Sequence, residues 1–160
     1  MSAIDQLRQQ LFQELDLMVR TTAALIEKID EKDWHYQPQN SMRTLLEVVN
    51  HLVQIPTVDL AIIQEQDEIS IRKLEQELHT KHTAELLHIL YSGADKLKAY
   101  MSGLSDEDFV HKTGKPFHSQ EGIPHSKWLI EILTHLSHHR SQCFEYLKEL
   151  RYNVNMFDLY

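Results

Sequence analysis

The sequence predicts an all-α fold, a single four-helix bundle with a long crossover between helices two and three. Three observations carry this. Glycine and proline number only four each in 160 residues, which leaves few turn signals and favours long helices over many short strands. Apolar residues recur at helical steps of three and four in four separate stretches. The length suits one domain over residues 1–160, whose core can bury about two-thirds of the unfolded surface without a disulfide or metal.

The first stretch opens on Ser2-x-x-Asp5, which resembles a capping box. Ile4, Leu7, Leu11, Leu15, Met18, Leu25 and Ile29 then keep to one stripe, predicting a helix over about residues 3–30. In DWHYQPQNS the turn residues Pro38, Asn40 and Ser41 break it, and Ser41 is placed to cap helix two. Helix two carries Leu45, Val48, Leu52 and Ile55 on one face. Pro56 removes a backbone donor, so a kink or an end is expected there before the pattern resumes at Leu60, Ile62 and Ile63. The crossover falls near residues 64–82, where 69–82 show no clear period. Helix three spans about Thr83 to Met101 on Leu87, Leu90, Ala94, Leu97 and Met101, with Gly103 placed to end it. Residues 104–125 hold Gly114, Pro116, Gly122 and Pro124 and read as a long loop, functional or mobile. Ser126 is placed to cap helix four, which reaches about Leu150.

Composition narrows the function. A net charge of −8 argues against a nucleic-acid partner, because a phosphate backbone calls for a basic face. No apolar run approaches the roughly 20 residues that a bilayer span needs, so no membrane is expected. The opening MSAIDQLRQQL lacks the basic and apolar regions of a secretory signal. The single cysteine, Cys143, rules out an internal disulfide and points to a reducing compartment. A cytoplasmic location is the expectation.

Histidine is the outlier, with eleven in the chain. In WLIEILTHLSHHRSQCFEYLKEL the apolar seam runs Leu129, Ile132, Leu136, Cys143, Tyr146, Leu150, and the missing step falls on His139. His135 lies about 40° from His139 on the same face, one turn away, whereas His138 lies about 100° off and points outward. An i,i+4 pair of this kind can converge on one ion, as in zinc enzymes. Two imidazoles make a weak site. His51, about 40° from Ile55 at the margin of the helix-two stripe, is the best third donor. Inward histidines also occur as core residues satisfied by a carboxylate or carbonyl, and spacing leaves both readings open. Leu136 stands where a zinc protease would carry its glutamate, which counts against that chemistry.

Other residues near this face read more plainly. Glu47 is expected as a surface charge, Trp34 and Trp128 as core anchors, and Cys143 as a small buried apolar residue rather than a fourth ligand. Gln142 and Tyr146 either orient a ligand or pack. Arg140 is expected to point away and pair with a carboxylate. The remaining histidines, His125 among them, read as solvent or loop residues.

At these residues the chain resembles the DinB/YfiT-like family of bacterial metal-binding four-helix bundles. THLSHHRSQCFEYL is similar to that family's H-x-x-H-H-R-G-Q block, with Ser141 in place of the usual glycine. DWHYQPQNSMRTLLEVVNHL resembles its W-x-x-x-P segment and the helix ending in the first ligand histidine, and NMFDLY resembles its tail. The resemblance implies metal ligands at His51, His135 and His139, a divalent ion such as zinc or nickel, and a homodimer. It includes enzymes that use low-molecular-weight thiols such as bacillithiol or mycothiol, beside proteins of no assigned activity. Three readings follow: a metal-dependent enzyme joining a small thiol to a small-molecule electrophile, a metal-dependent hydrolase, or a non-catalytic metal-binding stress protein.

Overall fold

The first two long helices are each fixed at their start by a side-chain cap. In the computed structural model, which describes residues 1–160, α1 spans Ala3–Glu27 and is capped by Ser2, whose hydroxyl accepts from the Asp5 amide at 2.9 Å. Arg8, not the exposed Leu7, occupies the inner face of its first turns. The Arg8 guanidinium donates to the carbonyls of Met101 and Leu104 and to Asp106, and lies 4.5 Å over the Phe109 ring. A buried charge is tolerable when its donors are met in this way.

Helix α2 spans Leu45–Ile63 and begins at Thr44 rather than Ser41. Thr44 and Glu47 form a reciprocal capping box, so Glu47 is exposed but serves the helix start. Of the expected kink or end at Pro56, the end does not occur, and the helix runs through it. Gly93 permits a close approach at this point: a Cβ there would stand 2.4 Å from Thr57 Oγ1 and 3.3 Å from Pro56 Cβ. Because Gly93 has none, the third long helix packs directly over the proline. Helix α2 is also the one helix long and apolar enough to cross a membrane, contrary to the expectation of none, and most of it is buried within the bundle.

The crossover contains a further helix, α3, over Glu68–Glu77. Asp67 caps it, Arg72 pairs with Glu68 and Glu75, and Ile71 alone is buried, against Val58 and Ala61 of α2. Helix α4 covers Thr83–Ser102 as expected. The expected loop of 104–125 holds a short helix α5, Asp106–His111, capped by Ser105 and anchored by Phe109. It also holds a two-residue antiparallel pair, β1 Thr113–Gly114 with β2 Ile123–Pro124.

Helix α6 spans His125–Glu149, starting at His125 without a side-chain cap from Ser126. His125 is buried, not a solvent residue: Nδ1 lies 2.6 Å from the Lys112 carbonyl and Nε2 lies 2.9 Å from the Tyr100 hydroxyl. It pins the start of α6 to α4 and to the preceding loop. The bundle core is formed by α1, α2, α4 and α6, with Trp34 and Trp128 both buried in it.

Candidate metal centre

Helix phase brings three histidines to one point between α2 and α6. His135 and His139 stand one turn apart on α6, and His51 faces them from the middle of α2. The ring centroids are 4.4 Å apart for His51–His139, 5.0 Å for His135–His139 and 5.1 Å for His51–His135. One nitrogen of each ring lies within 4.8 Å of the others. His138 is exposed on the outer face, and Cys143 is buried in the core outside the cluster.

Protonation states are fixed by what the outer ring edges touch. His135 Nδ1 lies 3.1 Å from Asp59 Oδ2, and a carboxylate can only accept, so Nδ1 carries the proton. His139 Nδ1 donates to Gln142 Oε1 at 2.9 Å. Neutral rings held this way turn the Nε2 lone pairs of His135 and His139 inward. This orientation by an outer partner is usual for metal-binding histidines.

The spacing suits a shared ion as well as a hydrogen bond. His51 Nε2 and His135 Nε2 are 3.1 Å apart. Two lone pairs at that distance repel unless a proton or a cation lies between them. Nitrogens bound tetrahedrally to zinc at 2.0–2.1 Å would be roughly 3.3 Å apart, close to what is seen. The residues present therefore fit a divalent metal.

The electrostatics point the same way. Burial pushes His51 down to about 3, with the neighbouring His139 and Arg43 adding to the shift. His139 is also lowered, by burial first, against the opposing hydrogen bond it donates to Gln142. His51 therefore stays neutral and able to ligate well into the acid range, and His139 is shifted in the same direction. Burial drives the Cys143 thiol the other way, up to about 12.

Two contributors were not evident in the sequence. Asp59 lies in the apolar run VDLAII, and a carboxylate at a buried helix position is the signal that could have found it. Arg43 lies on the turn before α2, placed there by the Tyr146 hydroxyl, which donates to its carbonyl at 2.8 Å. Gln142 does orient a ring, whereas Arg140 has no carboxylate. Arg140 is buried and donates to Thr21 Oγ1 at 2.7 Å and to the Leu159 carbonyl at 2.8 Å, fastening the C-terminal tail to α1.

Comparison with known proteins gives the same architecture. A candidate member of the DinB family from Exiguobacterium sibiricum 255-15 is 26% identical, with a TM-score of 0.69 and 97% of each chain covered. A DinB-like protein from Bacillus subtilis is 18% identical, with a TM-score of 0.67, covering 91% of this chain and 94% of its own. One from Bacillus cereus ATCC 10987 is 17% identical, with a TM-score of 0.69, covering 92% of this chain and 95% of its own. These last two speak to the fold alone. No curated protein matches the chain. The family model for the DinB family matches residues 1–160, and the chain accordingly belongs to the DinB family.

Proposed function

We propose that His51, His135 and His139 bind one divalent metal ion, zinc or nickel, and that the site joins a low-molecular-weight thiol to a small electrophile. The observation that carries this reading is the inward convergence of three neutral imidazoles, two of them held by Asp59 and Gln142. Imidazole suits either metal. An all-nitrogen set of three also leaves coordination positions open, the mark of a reactive site rather than a closed structural one.

A bound dication would lower the pKa of a thiol presented to it, making thiolate available at neutral pH. In the transfer, the sulfur electron pair forms a new C–S bond, the leaving group departs with the pair of the bond it breaks, and the thiol proton goes to solvent. The chain's part is orientation. Asp59 and Gln142 hold two rings, and Arg43 adds positive charge that disfavours protonating His51 and His139.

Elemental analysis of the purified protein, followed by thiol-conjugation assays with and without the metal, tests this. Activity should vanish in parallel with chelator and with His135→Ala. Hydrolysis without any thiol would instead favour activated water. Tight metal binding with neither reaction across a broad panel would favour the non-catalytic reading. We further propose a cytoplasmic homodimer, in keeping with one buried thiol and no disulfide. A monomeric mass in solution would remove the dimer and leave the metal site standing.

A further inference from the structure

A cleft beside His51 is walled by polar and charged side chains alone. It is an open depression of about 530 Å³ between α2 and α3, with Asn50, His51 and Gln54 on one side and Arg72, Glu75 and Gln76 on the other, and none of its lining residues is hydrophobic. Small-molecule sites are usually mostly apolar, so a cleft of this make-up selects a hydrophilic ligand. A narrow crevice that also reaches Asp59 shares His51, Gln54 and Glu75 with it, so the α3 wall and the histidine cluster border one recess.

Some of these groups are already engaged. Asn50 bonds the carbonyls of Leu46 and Thr80 and the Thr80 amide, and Gln54 donates to the Glu75 carbonyl at 3.3 Å. They tie α3 and its following turn to α2 and set the width of the cleft. The charged pair is freer. Arg72 and Glu75 meet at 2.9 Å, yet their side chains are 58% and 30% exposed. An exposed pair of this kind holds little free energy and exchanges readily for other partners. The guanidinium has five N–H donors, more than Glu75 and the 3.7 Å contact to Glu68 can use.

We propose that this cleft binds the ammonium and carboxylate of a small amino-acid-type ligand, with Arg72 taking the carboxylate and Glu75 the ammonium. The ligand's side chain is then directed toward His51. Only this last step rests on the thiol-transfer reading; recognition of the zwitterion stands apart from it. Arg72 and Glu75 lie three residues apart on one helix, so a ligand replaces one ion pair with two of its own. Arginine is suited to the carboxylate because it can bind it in bidentate fashion.

The experiment is a nuclear magnetic resonance titration of the isotope-labelled, metal-free full chain with S-methyl-L-cysteine, whose sulfur cannot become a thiolate. Shifts should cluster on α3 around Arg72 and Gln76 and on the facing part of α2, and saturate. Methylthiopropionate and methylthioethylamine each lack one of the two charges and should bind roughly fivefold more weakly, or worse. Arg72→Ala should erase the advantage of S-methyl-L-cysteine over methylthioethylamine, and Arg72→Lys should restore part of it. Arg72 is exposed, so neither variant threatens the fold. No shifts at the cleft, or equal affinity for all three probes, would overturn the proposal. Neither metal nor thiol chemistry enters the measurement, so failure of the metal reading would leave this result unchanged, and the reverse holds too.

Discussion

Asp59 Oδ2 on α2 accepts the Nδ1 proton of His135 on α6 at 3.1 Å, so the helix that supplies His51 also aims the ring opposite it. Partners of this kind fix the tautomer and raise the basicity of the free nitrogen. Asp59→Ala should weaken metal binding by about 10–100-fold. The His135 side chain is 34% exposed, so water can replace the lost acceptor and the metal-free melting temperature should move little. Asp59→Asn keeps an acceptor oxygen and should fall between the two. Competition against a chromophoric chelator measures all three; wild-type affinity in Asp59→Ala would show that the contact does not support the site.

The two adjacent histidines of α6 should behave oppositely. His139 is buried with its ring against His51, whereas His138 is exposed on the outer face. His139→Ala, like His51→Ala and His135→Ala, leaves two nitrogens and should lose metal on gel filtration. His138→Ala should retain it. Retention by His139→Ala with loss by His138→Ala would contradict the helix phase itself.

The three clustered histidines were legible because they sit on long, strongly periodic helices. The Leu129–Leu136–Cys143 seam sets the phase of α6, and that phase alone separates His139 from His138. Features that depend on two segments meeting were not legible. The close packing of α4 over Pro56 rests on Gly93, a residue distant in the chain. Helix α3 buries only Ile71, so it has no apolar stripe to read, and its start is fixed by the Asp67 cap. His125 looked like a loop residue because its partners, Tyr100 and the Lys112 carbonyl, lie on other elements. Arg140 defied expectation for the same reason, its acceptors being a hydroxyl of α1 and a carbonyl of the tail.

Cys143 should be inert in the folded protein. It is fully buried, and burial alone pushes its thiol up to about 12, so thiolate is scarce at any ordinary pH. An aromatic disulfide reagent at mildly alkaline pH should label it only after denaturant is added, with metal present or absent. Fast labelling of the native, metal-free protein would reopen a ligand or redox role for this residue.

Without metal, the folded chain should lose stability in acid. In the folded chain His51 is held down to about 3, first by burial, whereas its ordinary value is 6.5. Between those values the unfolded chain binds a proton that the folded chain refuses, so stability rises with pH across this window. The contribution is fully present above about 6.5 and is lost as pH falls toward the folded value. His139 is shifted in the same direction, again with burial as the first cause, and adds to the slope. Since the cluster is partly open to solvent, the slope should be shallower than that of one full proton per ring. Melting curves of the metal-free protein should therefore shift downward from about pH 7 to about pH 4. His51→Gln, neutral throughout, should flatten part of that decline while the curves converge at neither extreme by requirement. Parallel pH dependence of the variant and the wild type would show that His51 protonates as freely in the bundle as in the open chain.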